Sequence, residues 1–226
     1  SKDDIQRNKQ NRLAVDFIII GSLLLMGLYH IIFFAFRRRD RVSLYLGLFT
    51  FDVAFRRFLI SGEKVGHTVF PELTVEAFNY IQLWGIYPLL PLFLLYIYRL
   101  FPDLGHRRIV VGVTVVSALY LIVAHIAAPE MSLVTPFDPV LLFGLFYILY
   151  ILFRAIRRNY SEARMVGLGF LFIFAVAIND ILNDLEVIES VYLLGVGLWV
   201  FLFFQSVVLA KRFSRAFGQV EALSQD

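Results

Sequence analysis

Seven long apolar stretches constrain this chain more than any other feature. They run over residues 14–36, 42–60, 75–100, 109–128, 139–156, 165–185 and 191–210. A helix needs about 20 apolar residues to cross roughly 30 Å of hydrocarbon. In lipid, every backbone N–H and C=O must be bonded within the protein, and stretches of this length meet that demand as helices. Composition agrees. The chain is 59% hydrophobic with a mean hydropathy of +0.74, above the roughly 45–50% apolar content of soluble domains. The expected fold class is all-α, a polytopic membrane protein built as a seven-transmembrane helix bundle.

Basic residues set the expected orientation, because Lys and Arg collect in cytoplasmic loops. Fourteen of the 21 lie in the 37–41, 99–108 and 154–164 segments and the tail from Lys211. Five lie on the other side, four of them before residue 14 and the fifth being Lys64. The remaining two are Arg56 and Arg57, inside the second apolar stretch. The N-terminus is therefore expected outside and the C-terminus in the cytoplasm. Residues 1–13 are then expected as a linker on the outer side, and 211–226 as an amphipathic helix on the cytoplasmic side. In that tail Phe213, Phe217, Val220 and Leu223 recur at helical spacing, as at the start of a coiled coil. The other reading of the tail is an interfacial helix, with Lys211, Arg212 and Arg215 at anionic headgroups. The chain starts at Ser1 and stops inside a helical pattern, so it is expected to be a piece of a longer protein.

Several functions are excluded by residue type. The absence of Cys removes disulfides, thiolate metal sites and Cys nucleophiles. Retinal needs a mid-membrane Lys, and Lys2, Lys9, Lys64 and Lys211 all lie outside the spans. The four His are scattered, and no HxxxH or HExxH spacing occurs. No metal, cofactor or nucleic-acid partner is expected, and the chain itself is not expected to be an enzyme. The net charge of +3 needs only the positive loops of a membrane protein to explain it.

The anomalies are polar groups inside apolar stretches, where each must have a partner or a task. The sixth stretch ends in AVAINDILNDLEVI, with Asn179, Asp180, Asn183 and Asp184. On a helix the pairs 179/183 and 180/184 lie on adjacent faces. The second stretch carries Asp52, Arg56 and Arg57, with Glu63 just beyond it in an expected polar loop, 61–74, that holds Gly62, Gly66 and Pro71. Topology puts both groups in the outer third of the membrane. The expectation is an Arg–carboxylate clamp that fixes helix rotation, or alternatively an ion or ligand site. Tyr80, Trp84 and Tyr87 line the outer half of the third stretch, as an interfacial belt or the wall of an outward pocket. Either Arg56 or Arg57 could face inward. A proton or ion carrier using Asp52, Asp180 and Asp184 is a further alternative, opposed by the scarcity of acids in the inner halves of the spans.

Four segments together carry a resemblance: GLYHIIFFAFRRRDRVSLYLGLF, FRRFLISGE, INDIL and FQSVVLAKRFSRAFGQVEALS. In this order and spacing they resemble the bacterial seven-transmembrane receptors with diverse intracellular signalling modules, over nearly the whole chain. The resemblance implies a fused periplasmic sensor domain before residue 1 and a cytoplasmic output domain after residue 226. It also implies residence in the bacterial inner membrane. Arg56 or Arg57, Gly62, Glu63, Asn179 and Asp180 match its recurrent polar positions. The function expected is a receptor module in contact with the lipid bilayer. It would relay a periplasmic stimulus to the output domain, as a parallel homodimer. The alternative is a small-molecule or lipid receptor with its own outward pocket.

Overall fold

A computed structural model describes residues 2–69, 75–126, 134–184, 186–191 and 193–224. It contains seven helices and, among the described residues, no strand. These are α1 (Lys2–Phe36), α2 (Arg41–Val69), α3 (Val75–Leu100), α4 (Arg107–Ile126), α5 (Val134–Arg157), α6 (Ala163–Asp184) and α7 (Leu194–Ser224). Four of them contain a segment long and apolar enough to cross a membrane: Ala14–Phe36, Pro139–Arg157, Ala163–Asp180 and Gly195–Arg215. A shorter apolar segment, Gly85–Leu100, lies in α3.

Each helix covers most of one of the seven apolar stretches; α1, α2 and α5 begin or end well outside it, and α7 begins three residues inside its stretch, at Leu194, and runs on to Ser224. α1 starts at Lys2, so the expected linker is helical. Residues 2–13 hold no Gly or Pro, and nothing in them stops a helix. α2 runs to Val69, through what its glycines suggested was a loop after residue 60. Gly62 and Gly66 each cost about 1 kcal/mol in a helix, which lengthens the odds without forbidding it. The residue that cannot continue the helix, Pro71, comes only after Val69. α5 starts at Val134, five residues early, with Pro136 in its first turn, where the missing N–H has no intrahelical partner to lose. α3 continues through Pro88 and Pro91, as the sequence required.

Helix ends are closed by local chemistry. Asp40 precedes α2, and its carboxylate accepts the Ser43 hydroxyl at 2.6 Å, a side-chain contact across the first turn. α5 and α6 both end in Schellman turns. At α5, Tyr160 N donates to Ala155 O (3.1 Å) and Asn159 N to Ile156 O (3.0 Å). At α6, Val187 N donates to Leu182 O (2.9 Å) and Glu186 N to Asn183 O (3.1 Å). The left-handed positions are taken by Asn159 and Glu186, each with φ of 55°.

The chain divides into two compact units, residues 1–151 and 152–226. In the first, α1 packs on α2, α2 on α3 and α3 on α4. Gly27 and Gly47 bring α1 and α2 nearly backbone to backbone. A Cβ on Gly47 would lie 3.2 Å from the Gly27 carbonyl oxygen. Tyr87, Tyr120 and Phe137 tie α3, α4 and α5 together, with ring centroids 5.0 to 6.1 Å apart. In the second unit α6 packs on α7, with Gly197 against Val176 and Gly169 against Phe201 and Gln205. Gly21, by contrast, faces open space.

Candidate functional site

The α2 group resolves into two separate contacts. Arg57 Nη2 meets Asp16 Oδ1 of α1 at 2.5 Å, with both side chains partly buried. Arg56, turned by about 100° on the helix, lies over Gly85 of α3. A Cβ on Gly85 would sit 2.5 Å from Arg56 Cγ, 3.1 Å from its Cδ and 3.5 Å from Asp52 Oδ1. Only glycine leaves room there. Asp52, one turn below Arg56 on the same face, shares its electrostatic field. Both arginines therefore face neighbouring helices. The open choice between them has a double answer: Arg57 serves α1 and Arg56 serves α3.

This group retains unused hydrogen-bonding capacity. Asp52 Oδ2, Arg56 Nη1 and Arg57 Nε are buried, with no hydrogen-bond partner among the described residues. In an apolar layer such atoms are costly, and they are the natural contact points for a polar ligand group or water.

The α6 group is organised differently. Its partners lie in the connector to α7. Asp180 is 8% exposed, and its Oδ1 accepts the Leu193 backbone N–H at 2.8 Å and Asn179 Nδ2 at 3.0 Å. Leu193 is the residue before α7, and its carbonyl accepts the Gly197 N–H at 2.7 Å. The carboxylate thus caps α7 at the positive end of its dipole. Asn179 Nδ2 also donates to Val191 O (3.1 Å), and its Oδ1 accepts the Ser190 hydroxyl (2.9 Å). Asn183 Oδ1 accepts the Ser190 N–H at 2.9 Å. Three polar side chains bind the connector from 190 to 193 against the end of α6.

Of the remaining candidates, Tyr87 is fully buried in its aromatic cluster, so it is a core residue rather than part of a belt. The side chains of Glu63, Tyr80, Trp84 and Asp184 lie outside the described residues. Sequence reasoning missed Asp16, hidden at the start of an apolar run. The helical hairpin could have revealed it. From the Gly27–Gly47 contact, ten residues onward along α2 reach Arg57, and eleven back along α1 reach Asp16. Gly85 was also missed, because a glycine gives no sign of the side chain it admits.

Long apolar helices with charges only at ends and contacts define a multi-pass membrane protein. A family model described as 7TM diverse intracellular signalling matches residues 12–212. The chain belongs to that family, as the four sequence segments implied, and is a membrane signalling receptor protein. No curated protein and no solved structure matches it.

Proposed function

We propose that the chain is the transmembrane relay of a bacterial inner-membrane receptor. In this reading all seven helices cross the bilayer, with the N-terminus in the periplasm and the C-terminus in the cytoplasm. A periplasmic stimulus shifts the helices, and α7 carries the shift to an output domain joined beyond residue 226. Two copies act as a parallel pair through the α7 extensions.

One observation carries the reading. α7 is a single helix from Leu194 to Ser224, spanning an apolar segment and a charged one without interruption. A continuous helix converts rotation or sliding at one end into the same displacement at the other. An interfacial helix would turn away from the membrane span near residue 211, whereas the helix continues there without a break. The switch itself requires two packings separated by only a few kcal/mol. The α2 group, with its unused polar atoms, suits such a switch.

The test is helical phase. Residues 1–226 are fused to a reporter histidine kinase, and one to seven alanines are inserted after Ser214. Output should vary with a period of about 3.5 residues, recovering at seven. Output independent of insert length would refute transmission by α7. Arg56→Gln should shift basal output, and an unchanged output in both Arg56→Gln and Asp180→Asn would remove the polar groups from the switch. Alkaline phosphatase fusions after Val69 and Glu189 should be active, and those after Asp103 and Ser161 inactive. The reverse pattern would overturn the orientation.

A further inference from the structure

The second unit is polarised in charge along its helices. Lys211 Nζ contacts Met165 Sδ at 3.5 Å, and Arg215 Nη1 contacts Ser161 Oγ and, at 3.3 Å, Glu162 Oε1. These contacts place residues 211–215 of α7 beside the start of α6 and the turn that follows α5. Seven cations converge there: Arg154, Arg157, Arg158, Arg164, Lys211, Arg212 and Arg215. Glu162 is the one acid within segments 154–164 and 211–215, and Arg215 already engages it. From Met165 to Ala210 there is no Lys or Arg at all, and the far end carries Asp180, Asp184, Glu186 and Glu189.

Within the basic end, Arg212 differs from its neighbours. Its Nη1 is buried and has no hydrogen-bond partner among the described residues. Arg158, Arg164 and Lys211 are exposed; Lys211 is next to Arg212 in the chain, and Arg164 is next to Met165, which Lys211 contacts. Phe153 and Ile156 in the last turns of α5 and Leu168 in the second turn of α6 are exposed apolar side chains. These segments thus offer a buried guanidinium donor, exposed cations and exposed apolar side chains, at the ends of three membrane-length segments. A soluble anion would use the first two features and ignore the third. A two-chain phospholipid with a negative headgroup uses all three.

We propose that the basic end of residues 152–215 binds an anionic phospholipid, its phosphate accepting from Arg212 and its charge met by Arg158, Arg164 and Lys211. The proposal rests on the membrane class alone and is independent of the relay reading. The lipid would sit against the Arg215–Glu162 contact, where it could bias the exit of α7.

The chain, purified in uncharged detergent, is titrated with phosphatidylglycerol and with phosphatidylcholine of the same acyl chains. Bound lipid is counted by native mass spectrometry. Phosphatidylglycerol should be retained and phosphatidylcholine not. Arg212→Gln should weaken retention about fivefold, and R158Q/R164Q/R212Q roughly a hundredfold, from about 1 kcal/mol per basic residue at a membrane surface. Arg164→Gln and Lys211→Gln alter exposed side chains and should each cost about fivefold, so the test survives if Arg212→Gln fails to fold. Equal retention of both lipids would reduce the site to an apolar groove and overturn the proposal. Displacement of the lipid by millimolar inorganic phosphate would also overturn it. So would unchanged affinity in the triple variant.

Discussion

The polar groups of α2 and α6 look alike in sequence, each an acidic or basic interruption of an apolar run, yet they are satisfied in different ways. The α6 group is a local device. Asp180, Asn179 and Asn183 hold backbone and side chain within thirteen residues of themselves. The α2 group is a device between helices, with Arg57 on α1, Arg56 over α3, and buried polar atoms left over. A polar group fully used by its own connector fixes a turn. One with spare capacity between helices can change partners. The α6 group therefore fixes a connector, and the switch proposed above is assigned to the α2 group.

The strongest way to break this comparison is Asp180→Ala. It removes the acceptor of the Leu193 amide and of Asn179 together, and loss of charged hydrogen bonds at a buried site costs roughly 2–3 kcal/mol. Asp180→Asn keeps an acceptor and loses mainly the charge at the α7 N-terminus, so about 1 kcal/mol is expected. Thermal unfolding in nanodiscs should show that order, and hydrogen exchange at the Leu193 amide should quicken in the alanine variant. If Arg56→Ala destabilised more than Asp180→Ala, the division of roles would be reversed.

Next in size is Gly85→Ala. Its Cβ would meet Arg56 Cγ at 2.5 Å, and overpacking of this kind costs typically 1–3 kcal/mol. The clash is with one side chain, so Arg56→Ala should relieve most of it. A double-mutant cycle on unfolding free energy measures the relief directly. Additive losses would mean that Arg56 does not lie over Gly85.

A smaller coupling is expected between Asp16 and Arg57. The pair is short but partly exposed, with side-chain accessibilities of 20% and 29%. Exposed pairs give about 0.2–1 kcal/mol, and this one should reach the upper end, about 1 kcal/mol, because apolar side chains surround it. The Asp16→Ala and Arg57→Ala cycle reads it. A coupling near zero would leave α1 and α2 held by packing, with the Gly27–Gly47 approach at its centre.

The helices were legible because hydrophobic length and helix formation are one physical requirement in lipid. Their ends were not, and the misses share a cause. At residues 61–69 glycine suggested a loop, while the residues around it continued the helix. At residues 2–13 polarity suggested a linker, although the Lys, Arg and Gln that fill much of it form helices well. The candidate sites were legible as anomalies, since an Arg or Asp in an apolar run stands out. Their partners were hidden for two reasons. Leu193 and Val191 contribute backbone groups, which no residue type announces. Gly85 contributes an absence of side chain, visible only when two helices are already packed.

The smallest effect concerns the connector that the α6 group grips. Glu186 holds φ of 55°, a left-handed conformation that costs a residue with a Cβ roughly 1 kcal/mol relative to glycine. Its place in the Schellman turn is one that glycine usually fills. Glu186→Gly should therefore stabilise the protein slightly, by up to about 0.6 kcal/mol, once the greater freedom of glycine in the unfolded chain is set against the relief. Asn159 occupies the same position after α5, also at 55°. Asparagine tolerates that region better, so Asn159→Gly should gain less. Unfolding midpoints of the two variants test the pair. If Glu186→Gly destabilised instead, the Glu186 side chain would have to be a further member of the α6 group, and the connector would be held by more than Asn179, Asp180 and Asn183.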